Sequence, residues 1–191
     1  KVTIGSGVVS QVGTILKDVA PGITKALVVS DTNIFFDLLS VDLLDAFFQL
    51  PCEIATTDFV MSEIQRQEQL EKVNAFVHSR KLEIAKFDFS ELSEVSSLFE
   101  SNDNNASFTD CSVWYYAKKT KGRLLTGDAK LKKSATEDSV KVSGILYIFD
   151  NLVEYGIVDK KLCAKKLEEL TQENNRLPKG ECEKRIEEWK E

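Results

Sequence analysis

SFTDCSVWYYAKKTKGRLLTGDAKLKKS, residues 107–134, combines a segment of helical period, a short apolar run and a second helical start. Ser107–Lys119 reads as a helix. Spacings of three, four and seven residues put Asp110 on the same helical face as Val113, Trp114 and Ala117. Arg123–Thr126 (RLLT) reads as a strand that ends at Gly127-Asp128, and Ala129–Ser134 opens the next helix. A strand held between two helices is the repeating unit of a parallel sheet covered by helices.

The same alternation extends outward in both directions. Ala26–Ser30 (ALVVS) is a β-rich apolar run that ends at Asp31, and Phe35–Leu50 has helical period until Pro51 stops it. Glu53–Thr57 reads as a strand, Asp58–Arg80 as one helix with Leu70, Val73 and Val77 on a stripe, and Leu82–Ala85 as a short strand or connection. Ser90–Glu100 is an amphipathic helix, and the polar Ser101–Asn105 is a loop. Val140–Gly144 is the candidate last strand. Tyr147–Tyr155, Lys160–Asn174 and Gly180–Trp189 read as C-terminal helices, with Leu162, Leu167 and Leu170 as a narrow apolar stripe. The pattern predicts an α/β fold, a three-layer sandwich with a central, mostly parallel sheet, helices on both faces and extra helices at the C-terminus.

The chain has 191 residues and a formal net charge of −6, which argues against a non-specific duplex binder with a basic face. No apolar stretch is long enough to span a bilayer, and the N-terminal segment lacks a signal-peptide layout, so a cytoplasmic protein without membrane attachment is expected. Cys52, Cys111, Cys163 and Cys182 are scattered without a C-x-x-C pair and read as reduced thiols. His78 is the only histidine, which argues against a Cys/His zinc site and against nucleophilic catalysis with a histidine base.

Four acids stand out by position. Asp31 and Asp128 each follow an apolar strand, where sites form in open α/β sheets. Glu63 lies about one turn into the helix after the second strand. Asp110 lies on a face expected to turn inward, where a carboxylate needs a partner or a cation. Each has a plainer role open to it. Asp31 and Asp128 could be helix N-caps, Asp110 could complete a capping box with Ser107, and Glu63 could serve the helix dipole. Carboxylates brought to one point repel one another, and a divalent cation relieves that repulsion. Oxygen donors of this kind select Mg²⁺ or Mn²⁺, which can activate a water against a phosphodiester.

The ordered set VVSDTNIFFDLL (28–39), ATTDFVMSEI (55–64), FTDCSVWYYAKKTKGRLLTGDAKL (108–131) and VSGILYIFDNLVEYG (142–156) resembles the PIN-domain ribonucleases, including the VapC-type toxins. The resemblance implies a PIN domain over 26–155. It implies that Asp31, Glu63, Asp110 and Asp128 are catalytic, metal-binding acids, supported by Asn33 and Thr126. It further implies an RNA substrate cut to 5′-phosphate and 3′-hydroxyl ends, an antitoxin partner and a homodimer. Residues 156–191 form a helical extension longer than in compact VapC-type toxins. Residues 1–25 form an added segment. With the following strand, KVTIGSGVVSQVGTILKDVAPGITKALVVSD resembles the opening strand–helix–strand of dehydroquinate synthase and glycerol dehydrogenase relatives, and nothing after Asp31 continues that likeness.

Lys118, Lys119, Lys121, Arg123, Lys130, Lys132 and Lys133 surround Asp128 in sequence and are candidates for holding RNA phosphates. Tyr115 and Tyr116 could stack on bases, the alternative being a solvated helix face over core aromatics. The expected activity is metal-dependent endoribonuclease cleavage. A catalytically weak RNA- or protein-binding module is the alternative. A phosphatase using Asp31 as nucleophile lacks its usual second Asp, because Asn33 stands there.

Overall fold

The computed structural model describes residues 26–101 and 106–191, and the added N-terminal segment lies outside them. Five short strands form one parallel sheet: β1 (Leu27–Ser30), β2 (Glu53–Thr57), β3 (Leu82–Ala85), β4 (Arg123–Leu125) and β5 (Lys141–Ser143), in the order β3-β2-β1-β4-β5. Val29 is the pivot of the register, opposite Ala55 on β2 and Leu124 on β4. Strands buried on both faces carry continuous rather than alternating apolar runs. Val28 and Val29 of β1 and Leu124 and Leu125 of β4 accordingly lie in the core.

Ten helices flank the sheet among the described residues: α1 (Thr32–Ser40), α2 (Leu44–Phe47), α3 (Asp58–Glu63), α4 (Gln67–His78), α5 (Phe89–Glu100), α6 (Phe108–Thr120), α7 (Ala129–Glu137), α8 (Ile145–Glu154), α9 (Lys160–Glu173) and α10 (Lys179–Lys190). The chain moves from β1 through β2 to β3, then returns to add β4 and β5 on the other side of β1. With right-handed crossovers, that reversal puts helices on both faces. It also opens a crevice between the carboxyl ends of β1 and β4, the topological switch point where such sheets bind ligands. None of the helices is long and apolar enough to cross a membrane.

Two expectations need correction. Asp58–Arg80 is not one helix. It breaks at Ile64, whose backbone leaves helical geometry (ψ 85°) as its side chain enters the core at 2% exposure. Glu63 is therefore the last residue of a short helix, where a negative charge opposes the helix dipole. The plain dipole role considered for Glu63 is thus not available to it. The second correction concerns α9, whose buried face is formed by Cys163, Ala164, Leu167 and Leu170, while Leu162 is exposed. With Cys182, Ile186 and Trp189 of α10, this face joins the same core as Phe35 and Phe149. His78 is exposed at the end of α4.

Candidate active site

Asp31 sits at the switch point because β1 ends there. Its backbone N–H donates to Leu125 O at 3.0 Å, the last rung between β1 and β4, and the chain then turns into α1. Asp31 is the N-cap of α1, its Oδ1 accepting from the N–H of Thr32 at 2.6 Å. Its Oδ2 accepts from the Thr126 hydroxyl at 2.9 Å and from Asn33 Nδ2 at 3.3 Å. The residue is 1% exposed. Burial above all, and then the charge of Asp110, pushes its carboxyl up to about 6.

Thr126 ties β1 to β4. Its hydroxyl donates to Asp31 and accepts from the N–H of Asp128 at 3.0 Å. Asp128 caps α7, its Oδ1 accepting from the N–H groups of Lys130 and Leu131 at 2.7 and 2.8 Å. On the other side, the Thr32 hydroxyl donates to Glu63 Oε2 at 2.5 Å, linking α1 to the end of α3.

Asp110 enters from α6. It forms the capping box foreseen with Ser107: its Oδ2 accepts from the Ser107 N–H at 2.8 Å, and its own N–H donates to Ser107 Oγ at 3.0 Å. Val113, Trp114 and Ala117 on the same face are buried, while Asp110 at the helix start is half-buried. Burial raises its pKa, and after the opposing Ser107 hydrogen bonds, the charges of Asp128 and Glu63 raise it further. The hydroxyls of Thr57 and Ser112, 2.8 Å apart, fasten α6 to the carboxyl end of β2.

The four acids are thus electrostatic neighbours in a chain, with Asp110 acting on Asp31 and both Asp128 and Glu63 acting on Asp110. Three of them also serve as caps, so both roles considered for those residues coexist. The amino ends of α1, α6 and α7 place positive dipole ends beside the acids and moderate their repulsion. Glu63 Oε1, Asp110 Oδ1 and Asp128 Oδ2 receive no hydrogen bond from a described residue, and none of the four acids has an ion-pair partner among the described residues. Also among the described residues, no three His, Cys, Asp or Glu side chains are already arranged to hold an ion. Both Asp31 oxygens are engaged in hydrogen bonds within the protein, which does not favour the phosphatase alternative.

The basic stretch is split in space. Gly122 lies so close to β1 that a Cβ there would stand 3.2 Å from Leu27 O, so the end of α6 is at the amino edge of the sheet. Lys118, Lys119 and Lys121 belong to that edge, while Arg123 starts there on β4 and its side chain reaches along β5 to its carboxyl end. Along α6, Lys118 is about 12 Å from Asp110. Lys118 pairs with Asp138 at 2.7 Å, Lys119 pairs with Glu91, and Arg123 donates to Ser143 Oγ and lies over the Tyr147 ring. Lys130, Lys132 and Lys133 are exposed on the first turns of α7, beside Asp128. Tyr115 and Tyr116 pack edge-on against Phe87, and the Tyr116 hydroxyl donates to Glu83 at 2.9 Å, so both rings are engaged within the protein.

Sequence reasoning missed Thr32 and Arg176. Both act across the chain, Thr32 on Glu63 and Arg176 on Asn33 at 3.4 Å. Neither pairing leaves a local signal.

A family model described as PIN domain matches residues 27–191. A search of curated proteins found no match. Among solved structures, the chain is similar to PAE2754 from Pyrobaculum aerophilum, with 14% identity and a TM-score of 0.48 over 70% of this chain and 98% of that one. It is similar to VapBC2 from Rickettsia felis bound to a DNA fragment from their promoter, with 18% identity and a TM-score of 0.45 over 62% of this chain and 98% of that one. It is also similar to FitAcB from Neisseria gonorrhoeae, with 12% identity and a TM-score of 0.42 over 63% and 99%.

Proposed function

The chain belongs to the PIN-domain family, and from that membership and the geometry of its acids we propose that it is a metal-dependent endoribonuclease. Asp31, Glu63, Asp110 and Asp128 would hold Mg²⁺ or Mn²⁺. The observation that supports this reading is a set of neighbouring carboxylates, three with an oxygen not bonded by any described residue, at the switch point of the sheet. Hard oxygen donors without lysine or arginine partners suit a hard divalent cation. Such an ion, when bound, supplies Lewis-acid stabilisation of charge on a phosphodiester and lowers the pKa of water.

The protein's own groups do the rest. Thr126 and Asn33 hold the Asp31 carboxylate in place, and Thr32 holds Glu63. The amino ends of α1, α6 and α7 favour phosphate oxygens. Lys130, Lys132 and Lys133 attract the strand toward Asp128. An antitoxin covering this edge and a homodimer belong to the same reading.

The test is cleavage of single-stranded RNA with Mn²⁺, comparing wild type with Asp110→Asn. Asparagine can keep the capping bonds but loses the charge. We expect cleavage to 5′-phosphate ends by the wild type and a loss of about a hundredfold or more in the variant. Equal activity in both would remove Asp110 from the mechanism.

A second reading, an RNA-binding module of weak activity, is favoured by the absence of a ready three-carboxylate cage among the described residues. RNA binding that persists in EDTA, with no turnover in Mn²⁺, would select it.

A further inference from the structure

Resting on the nuclease reading, we propose that Arg176 is a substrate-contacting residue that grips an RNA phosphate adjoining the one cleaved. The argument begins on α1. Asn33, Asp37 and Ser40 are four and three residues apart and share one face, which leads away from Asp31. The turn between α9 and α10 is fastened to this face. Asn174 Nδ2 donates to both oxygens of the buried Asp37, at 2.9 and 3.1 Å, and Asn174 Oδ1 accepts the Arg176 N–H at 3.0 Å. All polar atoms of the Asn174 side chain are thus used in fixing the turn.

The fixed turn delivers the Arg176 guanidinium to Asn33, donating to Oδ1 at 3.4 Å, while Asn33 Nδ2 donates to Asp31 Oδ2 at 3.3 Å. The guanidinium is two hydrogen bonds from the most buried acid of the site. It also borders a cleft of about 400 Å³ between α1 and the end of α9, lined further by Phe36, Asp37, Ser40, Leu170 and Glu173. A strand leaving the acids along this face of α1 would meet Arg176 beside Asn33.

Arg176 is exposed and forms no ion pair with a described residue. The charge of Arg176 also favours the Asp37 carboxylate, but Asp37 does not hold the guanidinium by a hydrogen bond. Asn174 already satisfies both Asp37 oxygens, and the guanidinium bonds Asn33 instead. A planar fork of five donors, with one long bond in use, fits a phosphate bidentately.

The experiment uses a fluorescein-labelled single-stranded RNA with wild type, Arg176→Ala and Arg176→Lys. Cleavage in Mn²⁺ gives KM and kcat. Binding is measured across salt concentrations in an Asp110→Asn background without added divalent cation, where turnover is slowed about a hundredfold or more. We expect Arg176→Ala to raise KM and Kd about tenfold with a smaller change in kcat. The slope of log affinity against log salt should fall by about 0.7, the value for one phosphate contact on a single strand. Arg176→Lys should recover part of the affinity, and melting temperatures should match the wild type. Unchanged KM, Kd and salt slope in Arg176→Ala, with an active wild type, would overturn the proposal alone. A lower melting temperature with an unchanged salt slope would overturn it in favour of a structural role. A wild type that neither binds nor cleaves the RNA would overturn the nuclease reading and this proposal with it.

Discussion

The two edges of the sheet carry charge in different ways. At the amino edge, Lys118 and Lys119 are matched to Asp138 and Glu91. At the carboxyl edge, Asp31, Asp110, Asp128 and Glu63 have no described cationic partner, and burial with mutual charge raises the pKa of Asp31 and Asp110. The first arrangement stabilises the fold modestly, as exposed pairs do. The second costs stability, and such a cost is common where a cation or substrate supplies the missing charge. The contrast supports the proposed site at the carboxyl edge without appeal to a motif.

The largest expected effect comes from Asp31→Asn. The variant can keep the α1 cap through its amide oxygen, but its amide nitrogen cannot accept from Thr126 and Asn33 as Oδ2 does, which offsets part of the gain from losing the charge. RNA cleavage should fall by about 10²–10³-fold. Stability should move the other way. The Asp31 carboxyl titrates near 3.8 when unfolded and at about 6 when folded. The folded state therefore binds the proton more tightly. Its stabilising effect is complete below about pH 4 and is lost as pH rises through about 6. The shift corresponds to roughly 3 kcal/mol at most. Without divalent cations, wild-type stability should decline between pH 4 and 6 beyond that of Asp31→Asn, and the variant should melt higher at pH 7. Matching pH profiles in denaturant titrations would show that the site does not carry this cost.

Most elements were legible because buried parallel strands write continuous apolar runs: ALVVS, EIATT and RLLT mark three strands within a residue or so. The break at Ile64 was hidden, because Asp58–Arg80 keeps helical period on both sides of one residue that turns inward. Asp31, Asp110 and Asp128 were legible as strand-end or helix-start residues, and Glu63 only as a residue about one turn past the second strand. Their partners were not. Thr32 and Arg176 act over 31 and 143 residues of separation, and a periodicity argument reaches only one element at a time. The basic stretch misled for a geometric reason. Lysines close to Asp128 in sequence lie at both ends of β4, and a strand separates its ends as surely as a helix does.

That split sets the next test. Replacing Lys130, Lys132 and Lys133 by Gln should weaken single-stranded RNA binding and lower the salt slope by about 2, close to 0.7 per lost phosphate contact. The corresponding change at Lys118, Lys119 and Lys121 should leave both quantities as in the wild type. Equal losses from the two triplets, measured by anisotropy across salt concentrations, would mean that RNA runs over both edges.

The smallest effect is expected at the amino edge alone. Lys121 ends α6 in the left-handed region at φ 56°, where a Cβ is strained and glycine is not. Its neighbour Gly122 is held against β1, with its N–H donating to Ala117 O at 2.9 Å, so the turn cannot relax without moving the strand. Lys121→Gly should raise stability by about 0.5–1 kcal/mol, the relief of strain being partly offset by the greater freedom of glycine when unfolded. RNA binding should not change, because the removed cation lies at the end of β4 remote from Asp128. A variant that is more stable yet binds RNA less well would return Lys121 to the interface and blur the distinction between the edges. Denaturant titration and RNA binding on the same preparation decide between these outcomes.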